Sequence, residues 1–111
     1  TEKNKMATGR LGVQDLTADT DTTVYTVPVG TYAVANVSVT NRNQTSITLR
    51  LAMATTSTPD PQEFIEYETV IIPNGVFERT GLVMQGGLNI VARANQANVG
   101  VTVYGIETST T

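Results

Sequence analysis

From Arg10 onward the chain alternates apolar and polar residues with a period of two, and short clusters of turn residues interrupt the alternation. The run Ser46-Ile47-Thr48-Leu49-Arg50-Leu51-Ala52-Met53 is the clearest case. Ile47, Leu49, Leu51 and Met53 fall on one side, and Ser46, Thr48 and Arg50 on the other. Successive side chains of a strand point to opposite faces, so this pattern is a half-buried strand and not a helix.

Read this way, the sequence predicts about eight strands: 10–16, 22–27, 32–40, 46–54, 64–72, 76–84, 88–94 and 99–106. Val27-Pro28-Val29-Gly30 fits a type I turn after the second, and Pro73-Asn74-Gly75 ends the fifth. The sixth has a candidate bend at Gly81. Asn41-Arg42-Asn43-Gln44 reads as the loop of a hairpin between the third and fourth strands. Asp60-Pro61-Gln62-Glu63 has the signature of one helical turn, with Asp as cap, Pro first and Glu three after the cap. Short strands with turns at this spacing predict a single-domain antiparallel β-sandwich, Ig-like or jelly-roll-like. Val37, Val39, Leu49, Leu51, Val101 and Val103 are its expected core. Residues 1–9 lack periodicity and read as an N-terminal arm, with Met6 a candidate initiator. The domain spans 10–107, and 108–111 form a polar tail.

Composition narrows the function. The chain has 111 residues with no His, Cys or Trp, and only 15% of its residues are charged. The polar positions are mostly Thr, Asn, Gln and Ser, which gives a hydroxyl- and amide-rich surface. A net charge of −3, with seven scattered cations, opposes nucleic acid as a partner, because phosphate binding needs a basic stripe. No apolar run is long enough to span a bilayer, and the first residues show no secretory signal.

Four groups of residues invite a chemical reading. Asp60, Glu63, Glu66 and Glu68 are the densest acidic cluster, but a glycosidase pair would be expected beside aromatic platforms. Glu66 and Glu68 share a strand face on this reading, and Glu63 is explained as a cap. Asp15, Asp19 and Asp21 have the oxygen ligands calcium prefers, yet no EF-hand pattern, and Ala18-Asp19-Thr20-Asp21 reads equally as a turn. Asn36-Val37-Ser38 and Asn43-Gln44-Thr45 match the glycosylation sequon, which an Asn- and Thr-rich chain produces by chance. Arg50, Glu78, Arg79 and Arg93 lie mid-strand, where they form cross-strand ion pairs or set the register of a contact between subunits. With Lys3, Lys5 and Arg10 they make up the candidate interaction residues. No catalytic, cofactor or metal residues are expected.

Several phrases follow one another in order: Gly9-Arg10-Leu11-Gly12-Val13, Val24-Tyr25-Thr26-Val27-Pro28, Val37-Ser38-Val39-Thr40-Asn41-Arg42, Phe64-Ile65-Glu66-Tyr67-Glu68-Thr69, Asn74-Gly75-Val76-Phe77-Glu78-Arg79-Thr80-Gly81 and Val103-Tyr104-Gly105. Over about residues 9 to 107 this order resembles small virion structural proteins of tailed bacteriophages, of the T4-like cyanophage type. The resemblance implies a non-enzymatic β-sandwich made in the host cytoplasm and carried on the virion. It would decorate or cement the capsid through symmetric protein contacts. Its partners would be other copies of itself, with a trimer first, and capsid or tail proteins. The alternative is a tail, baseplate or fibre module binding host carbohydrate, for which two exposed tyrosines side by side in a groove with Asn or Asp would be the sign.

Overall fold

The computed structural model describes residues 7–110. It contains β1 (Thr8–Asp15), β2 (Thr22–Thr26), β3 (Thr31–Asn41), β4 (Ile47–Ala54), β5 (Phe64–Ile71), β6 (Val76–Gln85), β7 (Asn89–Ala94) and β8 (Val99–Ser109). One 3-10 turn, Pro61–Glu63, precedes β5. All eight expected strands are present, with ends moved by at most three residues. The largest shift is at β8. Its pairing with β3 continues to Thr31↔Ser109, so Thr108 and Ser109 of the expected tail belong to a ladder. Lys3, Lys5 and most of the expected arm lie outside the described residues.

The strands form two antiparallel sheets, ordered β1-β8-β3-β6 and β2-β7-β4-β5. The pairing is nested: β1 with β8, β2 with β7, β3 with β6 and β4 with β5. A long hairpin rolled up on itself gives this order, so of the two expected sandwich types the fold is the jelly roll. The nesting also corrects the hairpin expected between β3 and β4, which lie in different sheets. Both strands carry a full apolar face, and the sandwich buries those faces against each other across its layers rather than side by side.

Asn41 fixes that crossing. Its side chain is fully buried. The amide donates to the carbonyls of Thr45 (3.0 Å), Ile71 (3.2 Å) and Ile72 (3.1 Å), and its oxygen accepts from the Asn43 amide at 2.9 Å. Buried backbone groups must be paired, and here one side chain pairs those of two loops.

The inner faces make one core. Val37, Val39, Leu49, Leu51, Val101 and Val103 are all fully buried, with Met84, Ile90 and Val99 around them. Bulges shape its rim. At Gly12, just after the β1 bulge, an added Cβ would stand 2.2 Å from the Val24 carbonyl oxygen, so only glycine lets β1 approach β2 this closely. The expected bend at Gly81 is a bulge in β6, where the Gly81 amide donates to Asn36 Oδ1 at 3.0 Å. The turn expected at Val27 starts one residue later. The Thr31 amide donates to the Pro28 carbonyl, which places Gly30, at φ +84°, in the position that requires a positive φ. At the 3-10 turn, Glu63 accepts from the Asp60 amide (2.8 Å) and from the Thr55 amide (3.1 Å), which ties the 55–63 loop to the end of β4. These two backbone bonds, in that order, hold the Glu63 carboxyl below its ordinary range.

Candidate interaction surfaces

The two outward faces of the sandwich differ in chemistry. On the β2-β7-β4-β5 sheet, Arg50 of β4 lies directly opposite Arg93 of β7. Like charges in this position repel. Each guanidinium meets a carboxylate. Arg50 Nε donates to Glu68 at 2.5 Å, and Arg93 lies 3.7 Å from Asp21. The Tyr67 ring lies under Arg50 at 4.5 Å, with Phe64 edge-on to Tyr67 at 5.2 Å between centroids. The bond to Glu68 raises the Arg50 pKa above its ordinary value.

A bulge in β5 builds this arrangement. Glu66 pairs with Leu51 and Thr69 with Leu49, so Tyr67 and Glu68 together face Arg50. Glu68 takes φ +57°, unusual for a residue with a long side chain. The bulge overturns the shared face expected for Glu66 and Glu68. Glu68 turns to the outer surface and is 47% exposed, whereas Glu66 turns inward at the rim and is 19% exposed. There Glu66 accepts from Thr69 Oγ1 at 2.8 Å and from Arg79 of β6, joining the edges of the two sheets. A concavity of about 90 Å³ lies beside the arginines, lined also by Asp19, Thr48, Glu68 and Asn95. It holds charges of both signs and is smaller than the roughly 300–1,000 Å³ of ligand pockets.

The other outward face, on β1-β8-β3-β6, is apolar along one row. Val83 of β6 and Ile106 of β8 both pair with Val34 of β3. Val83 is 68% exposed and Ile106 47% exposed. Tyr32, one step along β3, is also exposed. The next rows carry charge at opposite edges. Arg10 of β1 pairs with Tyr104 of β8, and Glu78 of β6 pairs with Ser38 of β3. Tyr104 Oη donates to Glu78 at 3.1 Å across the intervening strand, and that bond raises the Tyr104 pKa.

The expected interaction residues therefore separate. Arg50 and Arg93 come together on one outer face, Arg79 closes the rim, and Arg10 and Glu78 flank the apolar row on the other face. The acidic partners Glu68, Glu66 and Asp21 were not among them. The sequence marks Glu66 and Glu68 as an acidic cluster and Asp21 as a candidate calcium ligand, but not as partners of the arginines. The exposed apolar row is hinted at in sequence by Val83 and Ile106, which fall out of phase with Leu82, Met84, Val101 and Val103.

The tyrosines also separate. Tyr25 is in the core, and its hydroxyl donates to Glu107 at 2.5 Å, linking β2 to β8 of the opposite sheet. Burial, and then that carboxylate, push the Tyr25 hydroxyl far above the ordinary tyrosine value of 10.0. None of the four tyrosines lines the concavity, and Tyr67 is linked to it only through Arg50.

No family model and no curated protein matches the chain. Among solved structures, a chain described as "Cyanophage Pam1 capsid asymmetric unit" is similar in fold. It aligns with a TM-score of 0.45 and 18% identity, over 94% of this chain and 84% of that one.

Proposed function

We propose that the chain is a non-enzymatic structural protein of a phage virion, decorating or cementing the capsid through repeated protein–protein contacts. The observation that carries this reading is the apolar row on the four-stranded sheet, in which exposed Val83 and Ile106 flank half-buried Val34. Exposed apolar surface of this kind marks protein contact. The ordered strand-and-turn phrases between residues 9 and 107 support the virion setting. Jelly rolls serve both as capsid and as lectin domains, so the fold alone does not choose between them, and the site must. In the acidic cluster, Glu63, Glu66 and Glu68 are each engaged by a different partner, which supports a non-enzymatic role. A carbohydrate site on a tail or fibre would need an aromatic platform, and Tyr67 is a single ring already covered by Arg50.

Immunogold labelling tests the reading. An antibody to this chain is applied to purified particles of the virus that carries its gene. Label distributed over the head is the expected result. Label confined to the tail tip would replace capsid decoration with the tail-module alternative, and unlabelled particles would overturn the virion role altogether.

A further inference from the structure

We propose that the outer face of the β1-β8-β3-β6 sheet is the contact through which this chain pairs with a second copy of itself, face to face about a two-fold axis. The register of the face supplies the argument. With the axis running along the strands, between β8 and β3, β1 of one copy lies over β6 of the other, and β8 lies over β3. Ile106 and Val34 share one row, so Ile106 of each copy meets Val34 of the other, and the apolar row is covered along its length. Arg10 sits on the β1 edge, one row from the level of Glu78 on the β6 edge. The hydrogen bond from Tyr104, which pairs with Arg10, draws Glu78 toward that row. Each Arg10 then meets the Glu78 of the other copy, and the symmetry makes this ion pair twice. Such self-complementarity is what a two-fold contact requires.

The size of the face agrees. Four strands at about 4.8 Å spacing, and the length of β3 at about 3.3 Å per residue, give roughly 700 Å² per copy. A standard stable interface buries about 800 Å² per partner. The opposite face differs in chemistry. Tyr67 and Val70 are exposed there beside ion pairs within the chain, and Ala52, Ala54, Val91 and Phe64 already form a small cluster of their own.

The pairing is a property of the chain in solution, so its failure and the failure of the virion reading are separately visible. Sedimentation equilibrium of the full chain is expected to show a concentration-dependent dimer. Val83→Lys, at an exposed position, should abolish it while leaving the thermal melt of the dilute protein unchanged. Arg10→Glu alone and Glu78→Arg alone should each weaken pairing by about tenfold or more, and the double exchange should restore it, because the interaction is a coupled charge pair. A monomer at the highest attainable concentration would overturn the proposal, as would a trimer. So would a dimer indifferent to Val83→Lys, or a double exchange no better than the single ones.

Discussion

Arg50 and Arg93 stand opposite each other across the β4–β7 ladder, and the arrangement is tolerable because Glu68 and Asp21 lie at the two outer sides of the pair. The Arg50 side is the tighter one, with a hydrogen bond at 2.5 Å against a 3.7 Å approach on the other. Glu68→Gln should therefore expose the repulsion, costing about 0.2–1 kcal/mol as exposed pairs do. Adding Arg50→Thr should recover most of that loss, since it removes one of the two like charges. Urea denaturation at low salt reads both effects, and raising the salt should shrink them.

Tyr25 and Glu107 connect the two sheets, and the burial of the hydroxyl, together with this bond, makes stability depend on alkaline pH. The hydroxyl's pKa is raised in the folded chain, so its contribution is fully present below the ordinary value of 10.0. It is lost progressively as the pH climbs above that value toward the folded one. Tyr25→Phe should cost about 1.5–3 kcal/mol at neutral pH, as for a hydrogen bond to a charged group. The variant should also lose stability less steeply than the parent chain between pH 9.5 and 11, a window set by the ordinary tyrosine pKa. Denaturant midpoints across that range measure both.

Asn41→Ala removes the partner of three buried or half-buried carbonyls and of the Asn43 amide. Each unsatisfied buried group costs about 1–3 kcal/mol. The variant should lose about 3 kcal/mol or more in equilibrium unfolding. Hydrogen exchange should rise first in the 42–46 and 72–75 loops, because those are the segments the side chain holds.

Two glycines make a paired test of close approach. Gly12→Ala sets a Cβ 2.2 Å from a backbone oxygen that has no flexible end to move aside, and should cost about 1–3 kcal/mol. Gly100→Ala meets nothing within 4 Å and should be neutral or slightly stabilising. Thermal melts of the two variants should move in clearly different degrees.

The strands and the core were legible in the sequence because both follow from local alternation. Leu49 and Leu51 announce their burial within eight residues of chain. Which strand pairs with which was not legible, since Val37 and Leu49 read the same whether they sit side by side in one sheet or face to face across two. The turn at Asn41 looked like a hairpin loop for the same reason. Its role comes from Ile71 and Ile72, about thirty residues away. The arginines were visible as candidates, but the ion-pair surface was only half visible. A bulge at Tyr67 and Glu68 shifts the alternation by one, so Glu66 turns inward while Glu68 stays at the surface. The apolar row was missed because Val34, Val83 and Ile106 come from three separate strands and meet only through the register.

The nested pairing has a consequence for how the chain acquires its structure. The first of these eight strands closes against the eighth, so the sheet that holds β1 cannot be completed until Ser109 has been synthesised. The shortest connection between paired partners is β4 to β5, and closing a short loop costs the least entropy. Folding is therefore expected to begin there and to spread outward through β3–β6 and β2–β7, slowly, as for other chains rich in distant contacts. Mutational analysis of folding rates should find Leu49 and Ile71 already engaged at the barrier, and Val13 and Thr102 still free. The reverse order would mean that the ends of the roll, rather than its middle, nucleate the fold.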